Sequence, residues 1–175
     1  SERIENGVNI LGATPLDFGL SSTVTDLKSW LTAQGFQPVA CFAMDSTPEE
    51  LQNAGKAAVN LVVSQAGMDA AEYMQTQFGI PYVTGLPFGT RFSALIAQSL
   101  RDAAANRKSA YPCAWRLSGK PTCAVIGEGI QSASIAEALS LDLELCAHVI
   151  CPLPAEKQAL SWCDTVQTTE EDIKA

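Results

Sequence analysis

The sequence predicts an α/β protein in which parallel sheets are flanked by helices in three layers, and three observations predict it. Short apolar runs bounded by turn residues recur at Val8 to Leu11, Pro38 to Met44, Val59 to Val63, Pro81 to Thr84, Thr122 to Ile126 and Leu145 to Cys151, as expected of strands buried on both faces. Segments of helical periodicity separate them, and strands alternating with helices imply parallel sheets joined by crossovers. The chain has 175 residues, 47% of them hydrophobic, which is enough apolar surface to bury a core. Residues 1–108 are expected to form a Rossmann-like α/β domain, 109–120 a linker, and 121–175 the start of a second α/β domain. That second unit stops partway through a βα repeat and is expected to be incomplete; the alternative is a compact two-lobed domain in which both strand sets join one sheet.

Val8 to Leu11 reads as the first strand and Gly12-Ala13-Thr14-Pro15-Leu16-Asp17 as the turn leaving it. Ser21 or Ser22 then caps a helix whose apolar positions Val24, Leu27, Trp30 and Leu31 share one face, and Gly35 stops it. Pro38 to Met44 is the second strand. Thr47-Pro48-Glu49-Glu50 is a capping-box helix entry with proline at the first helical position. Val59 to Val63 is the third strand, followed by a helix with Met68, Ala71, Met74 and Phe78 on its buried side, ended by Gly79. Pro81 to Thr84 makes a short fourth strand. The next helix has the clearest stripe, with Phe92, Leu95, Ile96, Ser99, Leu100 and Ala103 on one face. Beyond the linker, Thr122 to Ile126 is a strand, Gln131 to Leu139 a helix and Leu145 to Cys151 a strand. Glu156 to Trp162 reads as another helix and Thr165 to Gln167 as the start of a further strand.

The formal net charge of −8, with basic residues scattered, argues against a nucleic-acid or anionic-membrane surface, because both need clustered Lys and Arg. No signal-peptide core and no membrane-spanning apolar run is present, so a cytoplasmic location is expected. The six cysteines contain no CxxC pair, and His148 is the single histidine. A structural zinc site therefore has little to build on, and reduced thiols that pack as small hydrophobes are expected. His148, set in an apolar run, reads as a hydrogen-bonded strand residue.

Val59 to Arg91 forms a βαβ unit, and ligands of open α/β sheets sit at the carboxyl ends of strands. Ser64, where the third strand ends, is therefore a position of interest. Gly85-Leu86-Pro87-Phe88-Gly89-Thr90-Arg91 reads either as a backbone nest for an anion, with Arg91 adding charge, or as a tight turn that needs glycine for its angles. Gly127-Glu128-Gly129-Ile130-Gln131-Ser132 follows a strand and opens a helix, but lacks the third glycine of a dinucleotide fingerprint and places Glu128 where a pyrophosphate would lie. No P-loop and no GxSxG motif occurs.

Taken together, Gly7-Val8-Asn9-Ile10-Leu11-Gly12 with Thr14-Pro15-Leu16-Asp17-Phe18, Val59-Asn60-Leu61-Val62-Val63, Phe78-Gly79-Ile80-Pro81-Tyr82 and Gly85-Leu86-Pro87-Phe88-Gly89 resemble the nitrogenase component 1 type oxidoreductases. That family includes dinitrogenase subunits, the scaffold proteins that assemble their cofactor, and dark-operative protochlorophyllide reductase subunits. The likeness runs from about Val8 to Arg107 and is weaker from Gly119 onward. It implies three Rossmann-like domains in the full protein, with this chain the central one plus the start of the next. It also implies a second component 1 type subunit and an ATP-dependent iron-sulfur reductase as partners, and an iron-sulfur or related metal cluster in the full-length complex. The fragment itself is expected to hold no cofactor or metal and to be inactive alone.

Two departures accompany the resemblance. In the catalytic dinitrogenase subunit the strand corresponding to Val59 to Val63 runs into a cysteine that binds cofactor iron, whereas this chain has Ser64. The same subunit carries an arginine-bearing loop where this chain has Gly127-Glu128-Gly129-Ile130-Gln131. The expected cofactor-facing positions are Thr14, Ser64, Gly67, Gly89 and Arg91, and no catalytic residue is assigned. The functional expectation is a divergent nitrogenase-like oxidoreductase or cofactor-assembly subunit without the standard cofactor cysteine. The alternative is a non-catalytic Rossmann-like binding module for a metal chelate or tetrapyrrole, since fold alone does not choose between them.

Overall fold

Strands and helices alternate along the computed structural model, which describes residues 2–19, 21–114, 120, 122–153 and 164–167. Among the described residues they build two sheets, one of four strands and one of three. Residues 1–83 with 97–110 form one compact unit, and residues 84–96 with 111–175 form the other.

In the first unit, β1 (Gly7–Leu11) is buried along its whole length, as is β3 (Val59–Val62). The sheet order is β2-β1-β3-β4, with β2 spanning Gln37–Cys41 and β4 spanning Tyr82–Thr84. β1 pairs in parallel with both β2 and β3. That order places the topological switch point between β1 and β3, because the chain winds toward one edge from β1 and toward the other from β3. Right-handed crossovers therefore put α2 (Ser21–Ala33) on one face and α3 (Pro48–Asn53) and α4 (Met68–Phe78) on the other. Asn9 lies on the α3 side of β1, its Nδ2 donating to Ala54 O at 3.0 Å and to Asn60 Oδ1 at 2.8 Å. The short helix α1 (Pro15–Phe18) occupies the segment expected to be a turn.

Several expected ends move. β2 stops at Cys41 rather than Met44, because Ala43 and Asp45 adopt positive φ and turn the chain. The capping box forms as expected: Thr47 Oγ1 accepts from Glu50 N at 3.2 Å, and Glu50 Oε2 accepts from Thr47 N at 2.8 Å. In α4, Met68, Ala71 and Met74 are buried, but Phe78 is 49% exposed and packs edge-on against Tyr73. Its place on the expected stripe is in the last turn, where Gly79 at φ +61° ends the helix and the Phe78 ring lies beside Gly55, 3.7 Å from where a Cβ on that glycine would stand. Helix α5 (Arg91–Asn106) buries Phe92, Ile96, Leu100 and Ala103, with Ala97 buried in place of the expected Leu95. Ser109 and Ala110, expected in the linker, instead extend the first sheet: Tyr82 N donates to Ser109 Oγ at 3.0 Å, and Ala110 N donates to Tyr82 O at 2.9 Å.

The second unit contains β5 (Cys123–Ile126), α6 (Gly129–Leu143), β6 (Ala147–Cys151) and β7 (Thr165–Val166), with strand order β5-β6-β7, all parallel. Its core joins Ala136 of α6 to Ala147 and Val149, with Cys123, Val125 and Leu139 against them. The helix expected at 156–162 lies outside the described residues. Segment 84–96 groups with this unit although the sequence places it within 1–108, because its backbone is hydrogen-bonded to α6. No helix among the described residues is long and apolar enough to cross a membrane.

Candidate functional site

The β1/β3 switch point brings together Gly12, Thr14, Ser64 and Gly67. Where β1 ends, Gly12 turns the chain at φ +89°, a conformation that costs other residues strain. Where β3 ends, Ser64 continues in extended conformation and is fully buried. The two loops touch through their backbones: a Cβ on Gly67 would lie 2.6 Å from Leu11 C and 2.7 Å from Gly12 N, and one on Gly12 would lie 2.8 Å from Ser64 O. Both glycines are therefore required by the close approach, not only by local angles.

The Gly12 carbonyl is the hub of this crevice. It accepts from Ser64 Oγ at 2.6 Å and from Thr14 N at 3.0 Å. Thr14 Oγ1 is turned to Asp17 Oδ2, 2.9 Å away. The Ser64 proton is thus spent on an internal carbonyl, and its oxygen is sealed from solvent. Cys41, at the carboxyl end of β2, is also buried, and burial pushes its thiol up to about 11, so it stays protonated and unreactive at neutral pH. Cluster iron needs thiolate or imidazole donors, and among the described residues no group of three or more His, Cys, Asp or Glu is placed to hold a metal ion. The described residues do not fit a metal cluster as its ligands.

Gly89 and Arg91 belong to the second unit, where the 85–91 loop is clamped on α6. Leu86 N donates to Ser134 Oγ at 2.9 Å, Thr90 N to Asp142 Oδ2 at 2.8 Å, and Arg91 N to Asp142 Oδ1 at 3.0 Å. The Arg91 guanidinium donates to Leu141 O. Both readings of the loop apply in part: it is a nest of backbone N–H groups at a helix N-terminus, and the anion in it is the protein's own Asp142. Glycine is demanded at position 89 because φ is +62° and a Cβ would run into the Asp142 carboxylate.

The Gly127 loop is filled in the same way. Glu128 caps α6 by accepting from Ile130 N at 3.2 Å and Gln131 N at 2.9 Å, which is the position a pyrophosphate would take. Of the described cysteines, Cys41, Cys113 and Cys151 are buried and Cys123 and Cys146 partly buried. His148 lies 3.3 Å from Thr165 Oγ1. The sequence reading did not single out Gly12, whose signal was its place immediately after a strand, or Asp142, which carries no local signal at all.

Comparison with known proteins identifies this scaffold. The family described as nitrogenase component 1 type oxidoreductase matches residues 1–138. The B subunit of light-independent protochlorophyllide reductase from Trichormus variabilis is 25% identical over 94% of this chain and 38% of its own length. The nitrogenase iron-molybdenum cofactor biosynthesis protein NifE of Clostridium pasteurianum is 36% identical over 47% of this chain and 17% of its own length. The solved structure of nitrogenase Cp1 at pH 5 superposes with a TM-score of 0.55 at 20% identity, covering 99% of this chain and 39% of that one, a likeness of fold. The chain thus spans well under half the length of these proteins. The family match, covering β1 through most of α6, shows that this chain belongs to the nitrogenase component 1 type oxidoreductases.

Proposed function

We propose that the chain is the central α/β domain, with the start of the next, of a nitrogenase-like oxidoreductase or cofactor-assembly subunit that works without the standard cofactor thiolate. The single observation that carries this reading is Ser64. It stands at the β1/β3 switch point, where ligands of this sheet topology bind, yet it presents a buried hydroxyl bonded to Gly12 O. Residues at this crevice would position and exclude water around a group held mainly by other parts of the protein. Thr14 and Gly67 flank that position, and Gly89 and Arg91 are the corresponding candidates in the second unit. In the cell the protein would be cytoplasmic, pair with a second component 1 type subunit and receive electrons from an ATP-dependent iron-sulfur reductase.

The test is anaerobic expression of the full open reading frame with its neighbouring genes. Reductase-dependent ATP hydrolysis coupled to substrate reduction, or transfer of a cluster to an acceptor protein, is the expected result. Turnover by the purified 175-residue chain alone would sink the proposal. The same buried hydroxyl also favours a second reading: a crevice with neither thiolate nor free nucleophile is suited to a non-catalytic binding module for a metal chelate or tetrapyrrole. A genomic neighbour encoding a permease instead of an iron-sulfur ATPase, with tetrapyrrole binding and no redox activity, would select it.

A further inference from the structure

Asn9 and Asn60 stand side by side on the two central strands of the first sheet, paired in register across β1 and β3, and neither exposes any surface. Buried amides are tolerated when their donors and acceptors are met. Asn9 Nδ2 spends both of its hydrogens, one on Ala54 O at 3.0 Å and one on Asn60 Oδ1 at 2.8 Å. Two atoms of the pair are left over. Among the described residues, Asn9 Oδ1 receives no hydrogen bond and Asn60 Nδ2 finds no acceptor.

Turning the amides over does not cure this. Asn9 turned would set its oxygen against Ala54 O, acceptor to acceptor, and Asn60 turned would set its nitrogen against Asn9 Nδ2, donor to donor. The Ala54 carbonyl therefore fixes both orientations. The covering layer cannot supply the missing partners either. Helix α4 packs over β1 and β3 and buries Met68, Ala71 and Met74, while Ala54 and Ala57, between α3 and β3, are buried as well. These side chains carry no N–H or O–H donor and, in methionine, only a weak thioether acceptor.

Whatever meets both atoms must accept from Asn60 Nδ2 and donate to Asn9 Oδ1. A bare metal cation accepts nothing and a halide donates nothing, so a neutral molecule with both capacities is required. Complete burial limits its size. Water is the smallest such molecule, needing two to four polar partners and about 10–15 Å³ of space.

We propose that the Asn9 and Asn60 amides are the binding site of one internal water molecule, which accepts from Asn60 Nδ2 and donates to Asn9 Oδ1. It adds a second polar link between β1 and β3 beside the direct bond. That link lies three residues before Gly12 and four before Ser64, on the strands that lead into the crevice.

A crystal structure at about 1.5 Å, where ordered waters are resolved although hydrogens are not, should show a peak roughly 2.7–3.2 Å from both Asn9 Oδ1 and Asn60 Nδ2. In solution, the Asn60 Nδ2 hydrogens should give Overhauser effects to water of opposite sign in the laboratory and rotating frames. That is the signature of a water that tumbles with the protein, whereas exchange with bulk water gives the same sign in both. Asn9→Leu combined with Asn60→Leu keeps nearly the same volume and removes both partners; the peak should vanish, and the substituted methyl groups should show no contact with water. A peak that persists in this double variant overturns the assignment, because other groups would then hold the water. Native crystals in which the two atoms bond to other protein groups, or stand apart with no density between them, overturn it as well. The measurements on the native chain decide the matter even where the double variant fails to fold.

Discussion

At the Gly12 carbonyl two donors converge, Ser64 Oγ and Thr14 N, and the energetic roles of the residues around it follow from that. Ser64→Ala removes one of two bonds to a buried acceptor and should cost about 1 kcal/mol in urea unfolding. Gly12→Ala asks more, since φ is +89° and the new methyl would sit 2.8 Å from Ser64 O; a loss of at least about 2 kcal/mol is expected. A smaller cost for Gly12→Ala than for Ser64→Ala would contradict the backbone contact between the two loops. Cys41 gives a pH test. Its thiol titrates at about 11 in the folded state against an ordinary value near 9, so the unfolded chain sheds that proton first as pH rises. Stability should therefore be intact below pH 9 and fall from there through about 11, and Cys41→Val should flatten that decline in a series of alkaline melts. The position of Ser64 was legible because strand ends are marked by composition. The direction of its hydroxyl was not, because it depends on Gly12, in the loop that leaves another strand.

Helix entries show where local sequence suffices. The box at Thr47 and Glu50 was readable because both partners lie within one turn, and the structure forms both of its bonds. The N-terminus of α5 has no such local partner; Asp142 reaches it from the last turn of α6. Asp142→Ala should cost about 1 kcal/mol, the usual worth of an N-terminal cap. Gly89→Ala should cost more in the native background than in the Asp142→Ala background, because the clash with the carboxylate disappears while the positive φ remains. A double-mutant cycle measured by thermal unfolding checks this, with a coupling of at least about 0.5 kcal/mol expected and strict additivity arguing against the clamp. The misread stripe positions have the same origin. Phe78 and Leu95 fit helical periodicity, but they are 49% and 39% exposed, since periodicity marks a face and not the extent of what packs against it.

For the molecule as a whole, alternation of strands and helices was enough to predict parallel sheets and their helical layers, and the family likeness followed from motif order. The assignment of 84–96 to the second unit was hidden, because α5 runs through the boundary as one uninterrupted helix and only hydrogen bonds to α6 reveal the division. The donor inventory gives the last prediction. The described cysteines are distributed over both units, with Cys41 in the first and Cys113, Cys123, Cys146 and Cys151 in the second, and no three metal-ligating groups converge among the described residues. Anaerobic incubation of the 175-residue chain with ferrous iron and sulfide should therefore leave no cluster charge-transfer band and no stoichiometric iron after desalting. Ser64→Cys should behave the same way, since one thiol aimed at a carbonyl inside the crevice does not make a ligand set. Retention of iron by the native chain would show that its own residues assemble a site. Retention by Ser64→Cys alone would show that the switch-point crevice needs only the thiolate to regain a cluster, and that the rest of the cradle is already in place.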